Sequence, residues 1–277
     1  MNTLTASPLT AKDFKSSTTP IWCPGCGDYS VLTSLNRAFA ALQLRPEQTA
    51  VISGIGCSSR IPAYTTCYGF HGVHGRALAV ATGLKLSRPE LTVVVTGGDG
   101  DGYSIGGNHF LHACRRNVDI TYIIMDNHVY GMTKGQASPT TEPDWDTALT
   151  PGGPGIRPFQ PLVIALAAGA NFVARTFSGD VVGTADIIAK AIATPGFSFV
   201  EILSPCITFR PEQREWRERT RPSPVPTTND PARAARRIMT DDGFNLGVLY
   251  AGSRRPFQPE IGRACRSVAE LAEEFSL

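Results

Sequence analysis

Residues Leu91 to Gln136 read LTVVVTGGDGDGYSIGGNHFLHACRRNVDITYIIMDNHVYGMTKGQ. An apolar, β-branched run ends in Gly97-Gly98-Asp99-Gly100-Asp101. A second run, Ile120 to Met125, ends in Asp126-Asn127, and Ser104 to Arg116 between them is helix-like. That pattern is a βαβ unit and predicts a mostly parallel sheet with helices on both faces. In open parallel sheets, ligands bind beyond the carboxyl ends of the strands. Asp99 and Asn127 stand at two such ends, where they could share one ion. A carboxylate and an amide oxygen beside a glycine-rich turn suit Mg²⁺, a hard cation that bridges to phosphate. The alternative is that both residues merely cap loops.

The rest of the chain sets bounds on function. Its 277 residues suffice for one large α/β domain or two small ones. A hydrophobic share of 42%, a charged share of 18% and a net charge of +2 are ordinary for a globular protein and give no sign of a nucleic-acid or anionic membrane partner. No apolar run reaches the roughly 18–20 residues that cross a bilayer. No basic-then-apolar leader pattern opens the sequence, so a cytoplasmic location is expected. Seven cysteines in such a chain do not form a disulfide scaffold; they read as metal ligands, reactive thiols or packing residues.

Around the central stretch, residues 1–20 are Ser/Thr-rich and read as an extended N-terminal arm lying on a partner, followed by an α/β domain over 21–208. Helical periodicity follows Asp28, and Thr49 to Ile55 reads as a strand ending in Gly56-Cys57-Ser58-Ser59. His74, in Phe70-His71-Gly72-Val73-His74-Gly75-Arg76, precedes a helix N-terminus, a position that favours anions; a structural histidine bonded to a loop carbonyl is the alternative. Pro139 to Pro161 is a long Pro/Gly/Thr-rich loop of the kind that forms lids or partner surfaces. Further elements are expected at Pro161–Gly169 (helix), Asn171–Thr176 (strand), Asp180–Thr194 (helix) and Phe197–Leu203 (strand). Composition shifts after Thr208, and 209–277 reads as a C-terminal arm packing on the core or on another subunit, with a helix-prone piece at Ala232–Met239.

Cys23-Pro24-Gly25-Cys26 is a tight turn presenting two thiols, ambiguous among zinc, an iron–sulfur cluster and a redox dithiol. No strand precedes it, which disfavours a thioredoxin-like dithiol. Cys57 and Cys206 each follow a strand on the ligand face, although small buried packing is an alternative for Cys57. Four thiolates at one place hold zinc or a [4Fe–4S] cluster. One close pair with two distant single cysteines fits a cluster held across a domain. Cys67, Cys114 and Cys265 lack this setting.

The G-D-G…N spacing, followed by Gly131-Met132-Thr133, resembles the thiamine diphosphate motif. Together with W-C-P-G-C-G, G-I-G-C-S-S-R, H-G-V-H-G-R-A, D-N-H-V-Y-G-M-T-K-G-Q and S-P-C, it resembles the β subunit of the 2-oxoacid:ferredoxin oxidoreductases over roughly Trp22 to Phe209. That resemblance implies the thiamine diphosphate-binding fold and a [4Fe–4S] cluster on Cys23, Cys26, Cys57 and Cys206. It implies Mg²⁺ on Asp99, Asn127 and the Val129 carbonyl. It implies a thiamine diphosphate site lined by Ile55, Gly56, Cys57, Ser58, His74, Gly100, Asp101, Gly131 and Met132, with His74 also catalytic. Lys134, in a K-G-Q resembling the 2-oxoglutarate-using members, would pair with the distal carboxylate that pyruvate lacks. Cys67 departs from the family pattern.

The activity so implied is oxidative decarboxylation of 2-oxoglutarate with coenzyme A to succinyl-CoA and CO2, electrons passing through the cluster to ferredoxin. An α subunit in an αβ or (αβ)2 assembly would supply a carboxylate for the aminopyrimidine ring. Pyruvate or a broad 2-oxoacid range is the alternative substrate reading. A zinc-stabilised α/β binding module and a non-oxidative decarboxylase are more distant; the four placed cysteines argue against the latter.

Overall fold

The computed structural model describes residues 7–258, 267 and 272–273. Cys265 and the first six residues of the expected N-terminal arm lie outside the described residues, as does most of 259–277.

The β-branched runs form the centre of an eight-stranded sheet: β1 (Thr49–Ser53), β2 (Tyr68–His71), β3 (Thr92–Gly98), β4 (Thr121–Asp126), β5 (Phe172–Phe177), β6 (Ser198–Leu203), β7 (Arg221–Pro222) and β8 (Asn245–Ala251). Their order is β2-β1-β3-β4-β6-β5-β8-β7. The first six are mutually parallel, and β8 joins β5 antiparallel. Alternate residues of each strand feed two cores, because side chains alternate across a pleated strand. Ile52, Val93, Val95, Ile124 and Phe199 pack with Leu78, Phe110, Leu162 and Ile238 on one face. Val51, Val94, Ile123 and Ile202 pack with Leu35, Phe39 and Ile188 on the other. Helices therefore cover both faces, as a buried parallel sheet requires.

Three strands were not expected, for physical reasons: β7 is only two residues long and ends in proline. All four residues of β2 are exposed, so this edge strand carries no burial pattern. β8 is only half-buried and contains Gly247 at φ 136°. The expected helix Ser104–Arg116 is shorter, Gly107–Arg116, and is preceded by a separate turn of helix starting on the motif itself, Asp99–Tyr103.

Both flanking segments pack on the core where they are described. Within residues 7–20, Phe14 is fully buried, its ring 5.5 Å from that of Phe39, and its carbonyl accepts from Thr66 N at 3.1 Å. This stretch is tied to the chain's own core through Phe14. Of the expected C-terminal arm, residues 221–251 pack on the core: they contribute β7 and β8 to the sheet, with helix Pro231–Thr240 between them. Arg175 on β5 fixes that addition, bonding Glu201 directly across on β6 at 2.6 Å and Asp241 at 3.4 Å. Phe14→Ala is expected to destabilise the chain by about 3–5 kcal/mol, the range for deleting a buried aromatic ring. Urea unfolding monitored by far-UV circular dichroism measures it.

Candidate functional site

The chain leaves β1 toward β2 on one side and then returns to β3 on the other, so the sheet order reverses between β1 and β3. At that switch point the loops after two neighbouring parallel strands diverge and open a crevice. A cavity of about 500 Å³ lies there. It is lined by Ile55, Gly56, Cys57 and Ser58 after β1, His74 after β2, Gly98 to Asp101 after β3, and Asn127 and Val129 to Thr133 after β4, with Gln136. All nine residues expected to line a cofactor site and all three expected magnesium ligands therefore meet in one cavity. Gly98, Tyr130, Thr133 and Gln136 were missed, although all four fall within the opening stretch.

Asp101 ties three of these loops together. Its Oδ1 accepts from Ile55 N at 2.9 Å, Gly75 N at 2.8 Å and His74 Nδ1 at 2.9 Å. Hydrogen bonds to a buried carboxylate are stronger than neutral ones. In the neutral imidazole, Nδ1–H donation leaves the lone pair on Nε2. The loop after β1 can approach this carboxylate only because residue 54 is glycine: a Cβ there would stand 2.1 Å from Asp101 Oδ2.

Two buried carboxylates stand at and beneath the cavity floor. Asp99 is 1% exposed and Asp126 is likewise buried; burial, then repulsion by Asp126, raises the Asp99 carboxyl, and burial, with Glu201 nearby, raises that of Asp126, while His128 opposes both shifts. Thr140 stands between them, its hydroxyl 2.9 Å from Asp99 Oδ2 and 2.7 Å from Asp126 Oδ1. Asn127 Oδ1 accepts from Val129 N at 3.1 Å, folding residues 127–129 into a tight loop with His128 at φ 56°. Thr141 and Arg210 both donate to the His128 carbonyl, at 2.7 and 3.1 Å. The Pro139–Pro161 loop, read as a lid, is thus anchored under the site at its first residues.

The four singled-out cysteines converge beside this cavity. The Cys23–Cys26 turn is joined to the loop after β6 by Gly27 N to Pro205 O at 3.3 Å and Ser204 Oγ to Asp28 Oδ1 at 3.0 Å. It is joined to the loop after β1 by Trp22 Nε1 to Cys57 O at 2.7 Å. Burial, then Asp28 and neighbouring thiols, push the Cys57 thiol up to about 11 and Cys26 higher still; burial also raises Cys206. Cys57 also lines the cavity, and a Cβ on Gly131 of the cavity wall would stand 3.4 Å from Cys206 Sγ. Among the described residues, no three His, Cys, Asp or Glu side chains form a group that could hold a single metal ion. Cys67 and Cys114 are buried in the two cores, apart from this set.

Lys134 is not brought into the cavity. It is exposed at φ 78° in a turn closed by Gly135 N to Tyr130 O at 2.9 Å, next to the lining residues Thr133 and Gln136. Two other residues had no motif to reveal them: Thr140, and Gln213, which is fully buried although it lies in a charged stretch.

Replacing Asp101 by alanine would strand the buried amide of Gly75, at about 1–3 kcal/mol, and remove the acceptor of the partly exposed Ile55 amide. The expected result is loss of stability with selectively accelerated amide exchange at both residues, read by hydrogen-exchange mass spectrometry or NMR.

Comparison with known proteins agrees with this geometry. Residues 54–202 match the family model described as thiamine pyrophosphate enzyme, C-terminal TPP binding domain. The chain is 48% identical over 205 residues to 2-oxoglutarate oxidoreductase subunit KorB of Mycobacterium tuberculosis, covering 74% of this chain but only 55% of that relative's length. It is 40% identical over 259 residues to 2-oxoacid:ferredoxin oxidoreductase 2, subunit beta, of Aeropyrum pernix, covering 88% of this chain and 84% of that one. Its fold is similar to 2-oxoglutarate:ferredoxin oxidoreductase from Magnetococcus marinus, solved with 2-oxoglutarate, coenzyme A and succinyl-CoA bound. The TM-score is 0.86 at 42% identity, over 90% of this chain and 87% of that chain. A loop-end cavity at the switch point of a parallel sheet, matched over most of its framework, places this chain in the family of 2-oxoacid:ferredoxin oxidoreductase β subunits.

Proposed function

We propose that this chain is the thiamine diphosphate-binding β subunit of an enzyme that oxidatively decarboxylates 2-oxoglutarate, forms succinyl-CoA and passes electrons to ferredoxin. The observation that carries this reading is a shared wall: Cys57 lines the cavity and belongs to the cysteine set, and Gly131 borders both.

The residues present fit the three groups so implied. Asp99, Asn127 and the Val129 carbonyl are all oxygen donors, the preference of Mg²⁺. The buried Asp99 carboxyl, held above its usual range, is the group that a cation would stabilise as the anion. The cavity is of a size that encloses a cofactor, and its lining combines Ile55, Tyr130 and Met132 with the polar groups of Ser58, His74 and Asp101. Cys23, Cys26, Cys57 and Cys206 would hold a [4Fe–4S] cluster. Zinc at about 2.3 Å from each of four sulfurs would need a tighter knot of thiols, and no such knot for one ion exists among the described residues. When bound, thiamine diphosphate supplies the electron sink for decarboxylation and the cluster an acceptor of single electrons.

The chain's own residues then do three things. The loops after β1, β3 and β4 hold the diphosphate end against the sheet. Asp101 holds His74 in the tautomer whose Nε2 can accept a proton at the cavity wall. Lys134, on the rim turn, offers a cation for the second carboxylate of 2-oxoglutarate. A fourth task falls outside: among the described residues, the carboxylates lining the cavity are Asp99 and Asp101. The first would hold the metal and the second already serves three N–H donors. The carboxylate that the aminopyrimidine ring needs therefore comes from an α subunit, in an αβ or (αβ)2 assembly in the cytoplasm.

Anaerobic co-purification with the α subunit is expected to yield a brown complex containing iron, sulfide, magnesium and thiamine diphosphate that turns over 2-oxoglutarate, while the chain alone does not turn over. A colourless, zinc-loaded complex would contradict the reading. In the active complex, Lys134→Ala is expected to lower kcat/KM for 2-oxoglutarate about tenfold or more, the scale of a lost charge-assisted contact, and to leave pyruvate nearly unaffected. Equal losses on both substrates would remove Lys134 from substrate selection.

A further inference from the structure

Past the ends of the neighbouring strands β4 and β6, the ladder stops at Asp126 opposite Leu203. The next residues separate, Asn127 toward the cavity floor and Ser204 to Cys206 toward the cysteine set. One side chain spans the gap. Gln213 is fully buried. Its Nε2 donates to the Asn127 carbonyl at 2.7 Å, and its Oε1 accepts from Cys206 N at 2.8 Å. The carboxamide thus takes the place of a missing strand peptide, giving one donor to one loop and one acceptor to the other. A buried amide with both ends used orients both partners, and losing it leaves the half-buried Asn127 carbonyl and Cys206 N–H without this partner. Arg210, three residues earlier, reinforces the same direction by donating to the His128 carbonyl at 3.1 Å.

We propose that Gln213 is a positioning residue that couples the metal–diphosphate end of the cavity to the cysteine set, by fixing Asn127 and Cys206 through one carboxamide. The inference rests on the cluster and magnesium assignments proposed above. It deepens them by naming the residue that sets their relative position. The potential of an iron–sulfur cluster responds to net charge and to hydrogen bonding near its thiolates. Outer residues that hold ligands are worth about 10–100-fold in metal affinity.

The test uses the anaerobic complex with its α subunit, comparing wild type with Gln213→Leu and the near-isosteric Gln213→Glu, which keeps the acceptor and replaces the donor by a charge. Two readouts are taken: the midpoint potential of the cluster by EPR-monitored titration, and the apparent affinity for thiamine diphosphate with Mg²⁺ by calorimetry. In iron-loaded variants with native circular dichroism, both readouts are expected to move. Affinity should fall about tenfold in each variant, and Gln213→Glu should lower the potential. If Gln213→Leu fails to fold, Gln213→Glu carries the test. Iron-loaded variants in which either readout stays at the wild-type value would overturn the coupling. A wild-type complex without iron would overturn the cluster assignment, and this inference with it.

Discussion

One buried carboxylate oxygen holds the site in shape. Asp101 Oδ1 gathers N–H groups from the loops after β1 and β2 onto the turn after β3. Loops at strand ends have no ladder to fix them, and their backbone polar groups need other partners. A single acceptor serving three donors closes the crevice between β1 and β3 to a defined width. It also fixes the tautomer of His74, and it requires glycine at residue 54. The remainder of the cavity is built outward from this point: Asp99 two residues earlier on the same segment, then the loop after β4 one strand further on.

The second constraint is electrostatic. Asp99 and Asp126 are buried close together with a threonine hydroxyl between them, an arrangement that costs stability unless a cation or a proton offsets it. A diphosphate-bound magnesium ion offsets it on the proposed reading. The cysteine set adjoins the same loops, so the proposed metal end and thiol end are held by loops after β1, β3, β4 and β6 of one sheet rather than by separate domains.

Much of this was legible in the sequence because the motif residues sit at strand ends, where periodicity and turn chemistry coincide. Each of the residues expected around the cavity, from Ile55 to Met132, reaches it. What escaped notice follows from long-range closure. Thr140 and Gln213 each act through two side-chain hydrogen bonds, to residues 7 to 86 positions away, and no local pattern announces such partners. Gln213 looked like one more residue of a charged surface stretch. The edge strand β2 is exposed and β8 half-buried, so neither has the alternation that identifies a strand. Phe14 was one apolar residue in a Ser/Thr-rich segment, and only the folded core shows what it packs against. Lys134 was legible as a cation in the right motif, yet the turn leaves it on the rim.

The central claim is that the metal–diphosphate site and the cysteine-bound cluster share one wall of this chain. Replacing Mg²⁺ by paramagnetic Mn²⁺ in the anaerobic complex and measuring spin relaxation of the reduced cluster tests it directly. Enhanced relaxation with stoichiometric Mn²⁺, abolished when Asp99→Ala prevents metal binding, is the predicted result. Relaxation unchanged by fully bound Mn²⁺ would contradict the claim.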